Sequence, residues 1–418
     1  MAHDTHAAWD FPDMFDYDGF FDDQLQQLHR EQRYRRFRIL KRGDRQFPHA
    51  LYLGPGRAPQ DVVVWCSNDY LGMSQSPVLN DAARAALSRY GTGAGGTRNI
   101  SGSHDLIVEL ESELAHLHRK SAALVFSSGY VANDTTLATL GRALPGCVFY
   151  SDANNHASMI EGIRRSGARC EVFTHNDSDS LQRLLARGDP TKPKIVAFES
   201  LYSMDGDIAP IAALVAVARL HGAMTYVDET HAVGVHGPEG AGLVAKAGLL
   251  SQVDILQGGL GKAYGGVGGF ITGNAVTVDF LRSDAPGFIF TTALPPAVVA
   301  AALASVRHLR HSDRERIRLF TLTAELKTAL TGAGLPLLDN PSQILPLIIG
   351  DAALCEKLAE RLIDRHGIYL QPINYPTVAK GSERFRITPT ALHTDRMAEQ
   401  LLSALASEVQ RRHDVRAA

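Results

Sequence analysis

From about residue 62 to residue 271, short apolar runs alternate with helical stretches, and this alternation constrains the fold more than any other feature. Residues 62–66, 122–126, 195–199, 224–228, 255–257 and 268–271 read as strands, being short and rich in β-branched or apolar side chains. Helical stretches at 76–90, 106–118 and 211–220 separate several of them. The first has Pro77 near its start and Gly91 past its end, the usual asymmetry of helix ends. The pattern predicts an α/β architecture with a mostly parallel central sheet. Near 291–296 the character shifts. An Ala-rich helical run at 297–310 follows, and the remainder reads as a smaller α+β unit ending in a helix over 394–412. The expected division is an N-terminal segment 1–60, a large domain 61–300 and a small C-terminal domain 301–418, which suits 418 residues at roughly 150 per domain.

Composition removes several function classes. Forty-two Lys and Arg against 45 Asp and Glu leave a net charge of −3, without the basic bias of a nucleic-acid binder. The longest apolar candidate for a membrane span, 293–306, contains Pro295, Pro296 and Ser305, so no membrane role is expected. Cys66, Cys147, Cys170 and Cys355 lie far apart with no CxxC pair, which predicts neither a disulfide framework nor a metal site and suits a reducing cytoplasm. The N-terminus carries no basic and apolar leader. Charge is uneven there. The first 23 residues hold seven Asp and no Lys or Arg, whereas residues 30–45 hold eight Lys or Arg. This reads as a solvated tail and a charged amphipathic helix, or as a segment from which one arginine reaches an anionic substrate.

Gly91-Thr-Gly-Ala-Gly-Gly96 formally matches GxGxxG. A dinucleotide site needs a strand before the glycines, and here a helix precedes them, so a backbone open to close ligand approach is the better expectation. Four other features form a set. Asp228 ends a strand, where α/β proteins bind ligands, though a lone Asp there could equally cap a helix. Lys262 follows Gly258-Gly-Leu-Gly261 after a strand. It is either a surface charge or a lysine whose burial makes it a nucleophilic amine. His156 stands in Ser151-Asp-Ala-Asn-Asn-His156, as a structural residue or a planar stacking group. Ser128-Gly129-Tyr130 leaves a strand and opens a helix, a natural cradle for phosphate. Pyridoxal phosphate needs all four: an amine for an imine, a carboxylate for the pyridine nitrogen, a stacking ring and a phosphate cradle.

With these residues in place, the chain resembles the α-oxoamine synthases, pyridoxal phosphate enzymes that join an amino acid to an acyl-CoA. The resemblance runs from about residue 24 to 402. It rests on Ser67-Asn-Asp-Tyr-Leu-Gly72, Gly93-Ala-Gly-Gly-Thr-Arg-Asn-Ile-Ser-Gly102, Asn155-His-Ala-Ser-Met-Ile-Glu-Gly-Ile-Arg164 and Glu199-Ser-Leu-Tyr-Ser-Met-Asp-Gly206. Asp228-Glu-Thr-His231, Gly261-Lys-Ala-Tyr-Gly265, Gly287-Phe-Ile-Phe-Thr-Thr292 and Gln371-Pro-Ile-Asn-Tyr-Pro-Thr-Val378 add to it. The resemblance implies an aminotransferase-like, fold-type I enzyme and, from the Thr97–Gly102 and Ile373–Val378 segments, the branch that takes glycine and succinyl-CoA. Other acyl-CoAs or amino acids, and a catalytically silent cofactor-binding relative, are the alternatives.

Residue by residue, the resemblance implies that Lys262 binds the cofactor and shuttles protons, with Asp228 on the pyridine nitrogen and His156 stacked on the ring. His231 and Ser203 would lie near the phenolic oxygen, and Ser128, Gly129 and Tyr130 at the phosphate. Thr291 and Thr292 would reach the phosphate from the other subunit of a homodimer. Asn68 and Arg386 would hold the glycine carboxylate. Arg35 would meet the distal carboxylate of succinyl-CoA, helped by Thr97 and Asn99, and Ser151, Ile160 and Thr377 would be further substrate-binding residues. One departure stands out. The family usually carries a threonine three residues before the lysine, and Gly259 stands there. Losing that hydroxyl should weaken cofactor binding, so Gly259→Thr is expected to tighten it.

Overall fold

The computed structural model describes residues 15–43 and 45–416. Most of the acidic tail (1–14) and Asp44 lie outside them.

The first helix, α1 (Tyr17–Arg30), falls on the acidic stretch rather than on the basic run at 30–45. Asp16 caps it, accepting from Gly19 N at 2.9 Å, and His29 and Arg30 sit in its last turn, where the helix dipole favours positive charge. The arginines that follow repeat at three- and four-residue spacings, which would set like charges side by side on a helix. They instead run mostly as chain without regular structure into β1 (Ile39–Lys41), which is followed by β2 (His49–Leu53) and β3 (Gln60–Val64). β3, expected at 62–66, begins two residues earlier. It joins β2 and a C-terminal strand rather than the central sheet.

After α2 (Pro77–Tyr90) and α3 (Asp105–Leu117) comes a seven-stranded sheet: β4 (Ala122–Phe126), β5 (Val148–Asp152), β6 (Arg169–Phe173), β7 (Lys194–Glu199), β8 (Met224–Asp228), β9 (Ile255–Gly259) and β10 (Gly269–Gly273), in the order β4-β10-β9-β8-β7-β5-β6. All of these but β10 run parallel. Only residues 260–268 lie between β9 and β10, too few for a crossover, so β10 returns antiparallel. Alternate strand residues feed two apolar layers. Val125, Val196, Phe198, Val227, Leu256 and Phe270 pack on one face, and Leu124, Phe126, Ile195, Ala197, Tyr226 and Ile255 on the other. The sheet is therefore covered on both sides, as the continuous apolar strands demand. α4 (Gly129–Ala143), α5 (Ala157–Ser166), α6 (Ser178–Arg187) and α7 (Ile211–Leu220) follow successive strands.

Beyond the helix Pro296–His311, a third core gathers Leu322, Leu345, Leu358, Phe385 and Leu401. Trp65 joins it from the far N-terminal side of the chain. Its strands are β11 (Leu345–Ile348), β12 (Ile368–Tyr369), β13 (Pro372–Ile373) and β14 (Arg384–Ile387). β12 pairs with β3, and β14 lies between β11 and β13.

Candidate active site

Five parallel strands deliver the functional side chains from their C-terminal ends, the edge at which open α/β sheets bind ligands. β4 leads to Ser128 and Gly129, β5 to His156, β7 ends at Glu199, β8 ends at Asp228, and β9 leads to Lys262. Their residues line a cavity of about 440 Å³ with Asn68, Tyr130, Asn133, Ser158, Thr230, His231, Gly259 and Gly261.

Lys262 Nζ lies 2.5 Å from His231 Nε2, and His231 Nδ1 lies 2.7 Å from the Tyr70 hydroxyl. Arg386 Nη2 donates to Tyr70 Oη at 2.9 Å and to Asn68 Oδ1 at 2.8 Å. Burial, reinforced by the positive charge of Arg386, depresses the Lys262 amine to about 7 despite the pull of Asp228 and Glu199. Burial, with Lys262 and Arg386 nearby, likewise holds His231 well below the usual histidine value, so its ring is neutral. The Tyr70 hydroxyl, already accepting from Arg386, is free to donate to His231 Nδ1. That leaves the proton on His231 Nε2, aimed at an amine that is largely free base above neutral pH. Arg386 Nε is buried without a partner, a donor awaiting an acceptor.

Asp228 is held on both oxygens. Asn133 Nδ2 donates to Oδ2 and Thr230 N to Oδ1, each at 2.7 Å. Tyr226 donates to Asn133 Oδ1 at 2.8 Å, so the asparagine cannot turn away. Burial, then the charge of Asp228, pushes Glu199 well above the usual carboxylate range. His156 caps α5, with Nδ1 2.7 Å from Ser158 Oγ.

At the start of α4, Ser128 accepts from Val131 N at 3.1 Å, leaving the Gly129 and Tyr130 amides for an anion. A Cβ on Gly269 would lie 2.5 Å from Gly129 N, so a glycine at 269 is needed for this helix end to approach β10. These groups fit pyridoxal phosphate: an amine with a depressed pKa, a fixed buried carboxylate, a ring beside the cavity and an anion cradle.

Not every expected residue converges here. Ser203 lies on the loop after β7 and does not line the cavity, nor do Thr291, Thr292, Arg35, Thr97, Asn99 or Thr377. Arg35 Nη2 and Thr377 Oγ1 meet at 3.3 Å, and Thr97 Oγ1 donates to Asn99 Oδ1 at 2.8 Å. Thr291 donates to Gly287 O at 2.6 Å, and Thr292 bridges to Thr97. Ser151 is buried and accepts from Asn155 Nδ2 at 2.9 Å, whereas Ile160 is exposed. Sequence reading passed over Tyr70 and Asn133, whose roles depend on partners far along the chain. Tyr70 lay inside the Ser67–Gly72 segment, and Asn133 offered no local signal.

Residues 60–405 match the family described as aminotransferase class I and II. Fold and site together define a pyridoxal phosphate enzyme of that class. A 5-aminolevulinate synthase of Bradyrhizobium diazoefficiens is 52% identical over 93% of this chain and 95% of its own. A 5-aminolevulinate synthase 2 of Cereibacter sphaeroides is 53% identical over 89% and 92%. Within the class, the chain belongs to the 5-aminolevulinate synthase family. Among solved structures, a serine palmitoyltransferase from S. paucimobilis with bound PLP–myriocin superposes with a TM-score of 0.87 at 31% identity, covering 94% of this chain and 98% of that one.

Proposed function

We propose that the protein condenses glycine with succinyl-CoA to give 5-aminolevulinate, CoA and CO2. The observation that carries this is the unpartnered, buried Arg386 Nε, linked through Tyr70 and His231 to the Lys262 amine. It offers a charged donor for a carboxylate in the same hydrogen-bond network as that amine.

Bound pyridoxal phosphate supplies the electron sink for charge that develops at the glycine α-carbon. The chain does the rest. Ser128, Gly129 and Tyr130 hold the phosphate at the α4 N-terminus. Asp228, fixed by Asn133 and Thr230, keeps the pyridine nitrogen protonated. His156 would stack on the ring, and His231 would lie at the phenolic oxygen. Arg386 and Asn68 grip the glycine carboxylate and so orient the α-hydrogen towards Lys262. Lys262 Nζ takes that proton and later returns one to the product carbon, a role suited to an amine with a pKa near neutrality. Arg35 pairs with the distal carboxylate of succinyl-CoA, helped by Thr97 and Asn99.

The enzyme acts as a homodimer in which Thr291 and Thr292 complete the partner's phosphate site. Support comes from their position outside their own cavity and from the exposed apolar Phe290, Ile100 and Val267. Its place is the cytoplasm, in keeping with four free cysteines. No helix among the described residues is long and apolar enough to cross a membrane. The test is purified protein with glycine and a panel of acyl-CoAs, scoring CoA release and the aminoketone. Succinyl-CoA should far exceed acetyl-CoA and longer apolar acyl-CoAs. Equal turnover of acetyl-CoA would overturn the assignment.

A further inference from the structure

His175, in the turn after β6, bridges the loop that delivers His156 and the loop that carries Ser203. Its Nδ1 lies 2.8 Å from Asp152 Oδ1, and its Nε2 lies 2.8 Å from Asp207 Oδ2. A neutral imidazole carries a proton on only one nitrogen, so two carboxylate partners require the doubly protonated ring. Burial opposes that charge. The bonds to Asp152 and then Asp207 outweigh it, and the ring is held charged up to about 10.

The two anchors stand at meaningful places. Asp152 ends β5 and begins the loop that delivers His156. Its side chain is fully enclosed, and it also accepts from Asn154 N at 2.8 Å and Asn176 N at 2.9 Å. Asp207 closes the loop that carries Ser203, where Tyr202 N donates to Asp207 O at 3.0 Å. The Tyr202 ring meets the His175 ring edge-on at 4.4 Å, and Asn176 Nδ2 donates to Asp207 Oδ2 at 2.5 Å. From the other side, Arg384 of β14 donates to Met204 O at 3.0 Å and pairs with Asp205. Arg384 lies two residues from Arg386 on the same strand, so both project from one face of β14. The Ser203 loop is therefore clamped between His175 and the strand that carries the carboxylate-binding arginine.

We propose that His175 is a positioning residue: a charged strut that sets the spacing between the His156 loop and the Ser203 loop, and thereby the seating of the cofactor ring. This rests on the reading of His156 as the stacking residue. A structural role alone would lower stability and leave the bound cofactor's environment unchanged.

The experiment uses the full-length protein, with apoenzyme titrated with pyridoxal phosphate and the visible circular dichroism of the bound cofactor recorded. His175→Gln should weaken cofactor affinity about tenfold and cut the dichroic band by half or more. Asp207→Asn keeps the enclosed His175–Asp152 pair, serves where His175→Gln fails to fold, and should move both readouts in the same direction by less. Adding Asp207→Asn to His175→Gln should restore part of the loss, because one of two uncompensated carboxylates is removed. His156→Ala is the reference. If it changes the dichroism while the His175 and Asp207 variants match wild type within twofold in both readouts, the strut is refuted and the stacking assignment stands. If none of the variants moves the dichroism, both fall.

Discussion

Thr230 fills the space that a side chain at Gly259 would occupy. A Cβ built at residue 259 would lie 2.8 Å from Thr230 Cγ2, closer than such contacts come. Thr230 cannot easily yield. Its amide donates to Asp228 Oδ1 at 2.7 Å and its hydroxyl donates to Gln257 Oε1 at 2.9 Å. Residues 230 and 259, on neighbouring strand ends, are thus one packing unit. The sequence expectation that Gly259→Thr tightens cofactor binding therefore needs revision. A new hydrogen bond to a charged group is worth roughly 1.5–3 kcal/mol, but overpacking costs roughly 1–3 kcal/mol, and displacing Thr230 would disturb Asp228. Gly259→Thr alone should bind pyridoxal phosphate no more tightly than wild type. Gly259→Thr combined with Thr230→Ala should bind about tenfold more tightly than Gly259→Thr. A titration series showing simple additivity of the two changes would refute the coupling.

The Tyr70 hydroxyl joins His231 to Arg386, and Tyr70→Phe would leave a buried imidazole nitrogen unpaired and Arg386 Nη2 with Asn68 as its remaining partner. An unsatisfied buried group costs about 1–3 kcal/mol. Arg386 would then be less fixed, and glycine should suffer more than the cofactor. The expected result is a ten- to hundredfold fall in kcat/KM for glycine, expressed mainly in KM, with pyridoxal phosphate affinity within threefold of wild type. Initial-rate kinetics at saturating succinyl-CoA measure the first, and apoenzyme titration the second. An unchanged glycine KM would remove Tyr70 from the substrate network.

These two networks show where sequence reading stops. Lys262, Asp228 and Gly129 were legible because each stands at the end of an apolar strand or closely after it, so local pattern and chemistry coincide. Asn133 was not, because a single asparagine inside α4 carries no sign that it reaches Asp228. β5 and β6 were missed for a related reason. β5 has only the short apolar run 147–150 before it ends in Ser-Asp, and β6 lies at the sheet edge with mostly exposed or half-buried residues. The pairing of β3 with β12 joins segments far apart in sequence, and only tertiary packing of Trp65 reveals it. The Thr230–Gly259 contact is of the same kind: the sequence shows the missing threonine, and only the fold shows what stands in its place.

Arg35 is exposed, with its guanidinium 3.3 Å from Thr377 Oγ1. An exposed arginine with one hydroxyl partner contributes little to stability. Arg35→Leu should therefore leave the melting temperature within about 1–2 °C, as expected for a surface change worth at most ~0.5 kcal/mol in a chain of this size. Its effect should appear in succinyl-CoA binding, where losing a charge-assisted contact worth roughly 1.5–3 kcal/mol raises KM about ten- to a hundredfold. Glycine KM should stay unchanged. A succinyl-CoA KM equal to wild type would remove Arg35 from the substrate site.

The depressed amine of Lys262 makes the apoenzyme sensitive to pH in a defined direction. The ordinary lysine value is 10.5, and in the folded protein it falls to about 7, through burial first and the charge of Arg386 second. Between those two values the unfolded chain binds more protons at this group than the folded one, so stability contributed by this site rises with pH across the window. Below about 7 both states are protonated, and the cost of burying the charge is fully present. Denaturant unfolding of the apoenzyme should show a positive slope of stability with pH from 7 to 10 that flattens in Lys262→Met. Reactivity should follow the same midpoint, because the free base is the nucleophile. The rate at which apoenzyme captures pyridoxal phosphate should climb through pH 7 and level off well before 10. Arg386→Gln removes a repelling charge, which favours the protonated amine and should shift that midpoint upwards. A capture rate still rising steeply between pH 9 and 10.5 in the wild-type protein would show that Lys262 titrates as an ordinary lysine.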